Sequence, residues 1–242
     1  MLIDIITLFP SMFQGPFEES MVKRAIDQGL VRVRINNLRD YAEGKHRQVD
    51  DYPYGGGKGM ILKPEPIFSA VEHLSAQTKE YTWKVLLSPQ GKTFNQAKCK
   101  ELSPKKHLLL LCGHYEGVDE RVRDHLVDEE ISIGDYILTG GELPAMVITE
   151  AVIRLIPGLL DEEALHDESF AEHLLEYPQY TRPPVFEGLS VPEVLLSGNH
   201  ALIKKWRRQQ AIYKTACRRP DLLEKAGISE KETKECLDSF SK

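Results

Sequence analysis

Short, nearly continuous apolar runs alternate with longer stretches of mixed periodicity through about residue 157. The runs 2–8, 31–35, 84–88, 107–112 and 131–133 are too short for helices and rich in Leu, Ile and Val, so they predict buried strands. Between them, 16–28, 64–76, 93–102, 118–126 and 144–156 carry helical spacing. Such alternation predicts an α/β fold with a mainly parallel sheet, because strands covered by helices on both faces lose their polar alternation. The stretch from Pro144 is apolar almost all round, which predicts a helix that is buried or lies in a subunit interface.

Beyond Pro157-Gly158 the pattern changes. Residues 159–176 are acidic and lack a sustained period, predicting a linker or mobile lid. After Tyr177-Pro178 the chain reads as helical: an extended, turn-rich Arg182-Pro183-Pro184, a basic helix over 200–217, a short helix over 220–226, and a last helix opened by a Ser229/Glu232 capping box. The expected division is therefore 1–160, an acidic linker or lid over 161–176, and a small helical domain over 177–242.

Charge is segregated. The net charge is −6, yet Lys204, Lys205, Arg207, Arg208, Lys214, Arg218 and Arg219 fall between His200 and Pro220 with no acid among them. Asp161, Glu162, Glu163, Asp167, Glu168, Glu172 and Glu176 crowd the preceding segment. A basic helix interleaved with Trp206 and Tyr213 suits phosphate contact and base stacking, so RNA is the expected partner, against a merely solvated face. No apolar run reaches membrane-spanning length, and Met1-Leu2-Ile3-Asp4 lacks a signal-peptide pattern, so a cytoplasmic protein without a membrane partner is expected. Four widely spaced cysteines and scattered histidines predict neither a disulfide framework nor a metal site.

Three strand exits carry the candidate chemistry. They are Ser88-Pro89-Gln90-Gly91, Cys112-Gly113-His114-Tyr115-Glu116-Gly117, and the loop from Ser132 to Ala145, which contains Gly134, Gly140, Gly141 and Pro144. In a parallel sheet all three open at one edge, so they predict one small-ligand site against bare backbone. Gly55-Gly56-Gly57-Lys58-Gly59-Met60 satisfies neither the Walker nor the Rossmann pattern and reads as a surface loop unless its neighbours form a site. Arg154, four residues after Glu150, fits either an ion pair at a helix carboxyl end or a cation awaiting a developing anion.

Together with Tyr52-Pro53-Tyr54-Gly55-Gly56-Gly57 and Leu195-Leu196-Ser197-Gly198-Asn199-His200, these loops closely resemble the bacterial tRNA (guanine-N1)-methyltransferases of the TrmD type, from end to end. The resemblance implies a SPOUT methyltransferase domain with a deep trefoil knot, S-adenosylmethionine as methyl donor, guanosine 37 of tRNA as target, and a homodimer with shared active sites. Carried over by motif, the cofactor pocket uses Leu87, Pro89, Gly113, Glu116, Ile133, Gly134, Asp135, Tyr136, Ile137, Leu138, Gly140, Gly141 and Pro144. Lys204, Lys205, Arg207 and Arg208 become the RNA contacts and Arg154 the anion-stabilising cation.

The general base is left between two acids. The family's aspartate directly precedes Ser-Phe, whereas Glu168 precedes Ser169-Phe170 here and Asp167 stands one place earlier. Lys58 is a second departure, in a glycine loop where relatives usually have Pro or a small residue. Family members tend to depend on magnesium, and no closed metal site is legible. The rival expectations are a related enzyme acting on another RNA and a catalytically silent RNA-binding protein.

Overall fold

The computed structural model describes residues 1–161, 165 and 167–240, so Glu162 and Glu163 of the acidic segment lie outside the described residues. The chain divides into two compact units, Met1–Leu160 and Asp161–Lys242.

The first unit is an α/β layer structure around a parallel sheet. Strands β1 (Leu2–Thr7), β2 (Arg32–Asn37), β5 (Thr82–Thr93), β6 (His107–Cys112) and β7 (Glu129–Ser132) lie in the order β2-β1-β6-β5-β7, every neighbouring pair parallel. The period of two along β6 explains the unbroken apolar run. Leu108, Leu110 and Cys112 enter one core and Leu109 and Leu111 the other, so both faces of the sheet are covered. Helices α1 (Ser20–Asp27), α3 (Gln96–Leu102) and α5 (Glu142–Ile153) supply the first core; α2 (Pro64–Ala76) and α4 (Glu120–His125) supply the second. A short antiparallel pair, β3 (Asp50–Asp51) and β4 (Ile61–Leu62), escapes the periodicity and brackets the glycine cluster.

Several predicted boundaries move for local reasons. The helix expected over 16–28 starts only at Ser20, whose φ of 53° breaks helical continuity. That expected over 93–102 starts at Gln96, because the Asn95 side chain caps the Lys98 amide at 3.1 Å. The strand expected to end at 88 runs on to Thr93. Both Leu87 and Lys92 pair with Ile131, so the four residues Ser88–Gly91 are thrown out as a bulge rather than forming a terminal loop. The last helix of the unit begins at Glu142, which puts Pro144 in its first turn, where a missing amide hydrogen costs nothing.

One polar group is built into the amino-terminal half of this sheet. Asp4 is fully buried on β1; it accepts from Arg34 Nε at 2.7 Å and from Asn36 Nδ2 at 3.0 Å, and its Oδ2 lies 2.8 Å from His107 Nε2. Thr82 Oγ1 meets the other ring nitrogen of His107 at 2.8 Å. Burial raises the Asp4 pKa, but the hydrogen bonds from His107, Arg34 and Asn36 outweigh it and hold the carboxyl below its ordinary value.

The second unit is mainly helical. Helix α7 (His200–Arg218), capped by the Asn199 side chain on the Leu202 amide at 3.2 Å, packs on α8 (Glu230–Phe240). A four-residue helix α6 (Glu193–Leu196) and a hairpin of β8 (Val185–Phe186) and β9 (Leu189–Ser190) precede them. The helix expected over 220–226 is a single 3-10 turn, Pro220–Leu222. Leu174, Ala211, Ile212 and Cys236 form the core. Leu174 comes from the acidic segment, where the Leu175 amide donates to Thr215 Oγ1 at 2.8 Å and the Glu176 amide to Ser169 Oγ at 3.0 Å.

Candidate functional site

Because the strands are parallel, the ends of β6 and β7 and the bulge of β5 open at the same edge, and their loops enclose a cleft of about 270 Å³. Twelve of the thirteen cofactor candidates line it: Leu87, Pro89, Gly113, Glu116, Ile133, Gly134, Tyr136, Ile137, Leu138, Gly140, Gly141 and Pro144. Asp135 does not; it lies exposed at the turn of its loop.

The loops are pinned to one another by backbone hydrogen bonds. Gly141 donates to Gly113 O at 2.9 Å, and Phe94 donates to Ser132 O at 2.7 Å. Arg123 reaches Gln90 Oε1 at 3.1 Å and Glu130 Oε2 at 2.5 Å, tying the bulge to β7. The glycine cluster joins this assembly, since Glu116 donates its amide to Met60 O at 3.0 Å. A Cβ on Gly59 would overlap the Glu116 side chain at 2.5 Å. The 55–59 loop therefore abuts the cleft wall and is more than a surface connection.

The glycines serve two different ends. A Cβ on Gly141 would stand 2.7 Å from Cys112 Cα, and one on Gly140 would stand 2.3 Å from Glu142 Oε2 and 2.6 Å from His114 Nδ1. Those positions are filled by the protein itself, so close packing accounts for both glycines. Gly113 differs. Its Cβ would meet nothing closer than Leu87 O at 3.5 Å and Val118 Cγ1 at 3.9 Å, both on the cleft wall, and its φ is not in the left-handed region. The vacancy beside Gly113 belongs to the cleft, the bare backbone a close-lying ligand needs.

Sequence reasoning missed other lining residues. His114 packs on Phe9 and Tyr115, with ring centroids 4.9 and 4.8 Å away, and its buried Nδ1 has no hydrogen-bond partner among the described residues. Its place inside the second loop was the only available signal. Glu142, behind the cleft lining, is buried beside it, accepting from Thr7 Oγ1 at 2.7 Å in the first turn of α5, where the helix dipole favours a carboxylate.

Arg154 caps the carboxyl end of α5 and is half-buried. Its charge is felt by the Cys99 thiol, which burial pushes up to about 11. Asp167 and Glu168 belong to the second unit. Asp167 is exposed and accepts from the Tyr177 hydroxyl at 3.4 Å; Glu168 is half-buried, and its carbonyl accepts from the Ala171 amide at 3.2 Å. Of the RNA candidates, Lys204 and Lys205 are exposed, whereas Arg207 lies with Cζ 4.7 Å from the centre of the Tyr177 ring. Arg208 pairs with Glu172 at 4.0 Å and Glu232 at 3.6 Å. The stretch around Arg208 lacks acids in the sequence, but the fold brings two to it from neighbouring elements.

A two-faced parallel sheet with a loop-walled cleft at its carboxyl edge defines an α/β protein with room for a small ligand against backbone. The chain belongs to the tRNA (Guanine-1)-methyltransferase TrmD family, whose model matches residues 1–225. It is 57% identical over 241 residues to a tRNA (guanine-N(1)-)-methyltransferase of Dictyoglomus turgidum, covering 99% of this chain and 96% of the relative. Relatives of the same name are 55% identical in Staphylococcus epidermidis, covering 100% and 98%, and 57% identical in Dehalococcoides mccartyi, covering 97% and 95%.

Proposed function

We propose that this protein transfers a methyl group from S-adenosylmethionine to N1 of guanosine 37 in tRNA, beside the anticodon. Family membership supports the reaction class, and the cleft at Gly113 is the observation that carries the donor site. When bound, S-adenosylmethionine supplies an electrophilic methyl group. Leu87, Pro89, Gly113, Ile133, Gly134, Tyr136, Leu138 and Pro144 line the space that would hold it.

The remaining chemistry falls to side chains. Guanine N1 carries a proton and is a poor nucleophile until that proton leaves, so a carboxylate must accept it. Glu168 takes this role because it keeps the family's spacing to Ser169-Phe170; Asp167, one place earlier, accepts from the Tyr177 hydroxyl. Loss of the proton places negative charge on O6, which the Arg154 guanidinium stabilises.

In this reading 1–160 is the methyltransferase domain, 161–176 the lid and 177–242 the tRNA-binding domain, with Lys204 and Lys205 meeting phosphates. The deep trefoil knot would be closed among the loops at 88–141, where β7 is flanked by chain from both sides of the Ser88–Gly91 bulge. A homodimer sharing its active sites would cover the apolar stripe of Leu143 and Val147, one turn apart on α5, and the neighbouring Met12, all exposed in the single chain. Magnesium dependence and a cytoplasmic location complete the proposal. Among the described residues, no helix is long and apolar enough to cross a membrane.

The test is incubation with methyl-labelled S-adenosylmethionine and an unmodified tRNA transcript, followed by nuclease digestion. Label in 1-methylguanosine from position 37 is the expected result. Label elsewhere, or none, would overturn the assignment.

A further inference from the structure

A second cavity, of about 750 Å³, lies wholly inside the helical unit, between the segment 177–184 and helices α6 and α7. Its walls combine the rings of Tyr177 and Tyr180 with the aliphatic Leu195 and Ile203. Among the described residues its charged lining is Arg182 and Arg207, with no carboxylate. Arg207 Nε is shut off from solvent without a hydrogen-bond partner among the described residues, although its guanidinium lies over the Tyr177 ring. Leaving a charged donor of this kind unmatched is costly. Tyr180 is 49% exposed, its ring 6.5 Å from that of Trp206, so one aromatic face remains available.

These features specify the occupant's chemistry: a planar ring to lie on Tyr180, an apolar surround for its edge, and an anion or carbonyl oxygen for the arginines. We infer that the cavity receives one unstacked nucleotide of the bound RNA, outside the cleft where methyl transfer is proposed. The inference rests on the reading of tRNA as the substrate and adds to it a second anchoring point. Flat rings satisfy it whatever the base, since every base offers a π face, while two guanidinium groups match the phosphate. The cavity lies within the size range of sites that take small organic groups, about 300–1,000 Å³.

Ultraviolet cross-linking of the full-length protein to an unmodified tRNA transcript, with peptides mapped by mass spectrometry, tests the site without any substitution. A cross-link in the peptide around Tyr177 and Tyr180 is expected. Fluorescence anisotropy then compares Tyr180→Ala and Tyr180→Phe with the parent. Losing a stacking face should weaken tRNA binding about 5- to 150-fold with the salt slope unchanged, and the Phe variant should keep the parent's affinity. Cross-links confined to the exposed face of α7, or parent-like affinity in a folded Tyr180→Ala protein, would overturn the inference. If guanosine 37 is methylated while the cavity shows neither signal, the inference alone fails. If the cavity cross-links while no methyl group is transferred, the proposed reaction fails and the inference stands.

Discussion

Gly113→Ala separates ligand space from protein packing. In the protein alone the new methyl would make ordinary contacts with Leu87 O at 3.5 Å and Val118 Cγ1 at 3.9 Å, so it carries no steric penalty. Removing a glycine's unfolded-state freedom at a compatible φ stabilises by about 0.4–1 kcal/mol. For a chain of this size that corresponds to a rise in Tm of roughly 1–4 °C. The same methyl stands in the cleft, where overpacking costs about 1–3 kcal/mol, a loss of about 5- to 150-fold in donor affinity. Calorimetric titration with S-adenosylmethionine and thermal melts of the same preparations read the two effects independently. An unchanged donor Kd, or a Tm several degrees lower, would refute the claim that the space at Gly113 belongs to the ligand.

Gly141→Ala should behave oppositely, because its Cβ meets Cys112 Cα at 2.7 Å; a loss of about 1–3 kcal/mol should appear in melts without any ligand present. Asp4→Ala, which leaves Arg34 and His107 without their acceptor, should cost about 3 kcal/mol at neutral pH. The folded pKa of Asp4 lies below its unfolded value, so its contribution is full above the unfolded pKa, near 3.8, and is lost as pH falls through the lowered value. Parent and Asp4→Ala melts should therefore converge on acidification below about pH 4, and a gap that persists there would contradict the linkage. Glu168→Gln should slow single-turnover methylation about 10²- to 10⁴-fold with tRNA and donor affinity nearly intact, whereas Asp167→Asn should be mild; the reverse order would move the base to Asp167.

The strand pattern was legible because the sheet is covered on both faces, so a run such as Leu108-Leu109-Leu110-Leu111 has no other soluble home. The cleft was legible because glycine, proline and small polar residues punctuate each strand exit. The bulge at Ser88–Gly91 was not, since its residues have turn chemistry and only the pairing of Ile131 with both Leu87 and Lys92 shows the strand resuming. Nor could the pattern reveal which glycines border open space in the cleft. Gly113, Gly140 and Gly141 look alike in the chain, and the distinction lies in Cys112, His114 and Glu142, whose atoms crowd two of the three positions. The chain likewise does not show that Glu172 and Glu232 reach Arg208 from other elements.

The proposed division of labour between Glu168 and Asp167 is probed through Tyr177. Its ring lies under the Arg207 guanidinium, and its hydroxyl donates to Asp167 at 3.4 Å, so cavity wall and acid share one side chain. Burial first, and then the nearby Asp167 carboxylate, hold the Tyr177 hydroxyl above its ordinary pKa against the lowering effect of Arg207, so it remains a proton donor at neutral pH. An oxygen of Asp167 already engaged by that hydroxyl must exchange partners before it can accept another proton. In the proposed reading Glu168, which keeps the family's spacing to Ser169-Phe170, takes the guanine proton. Tyr177→Phe would release Asp167 without emptying the ring's place beneath Arg207. Proton transfer by Glu168 predicts that single-turnover methylation in Tyr177→Phe stays near the parent's at saturating tRNA, and that adding Glu168→Gln to it removes activity as fully as Glu168→Gln does alone. If Tyr177→Phe instead rescued the Glu168→Gln protein, Asp167 would be competent once freed, and the tyrosine would be what restrains it.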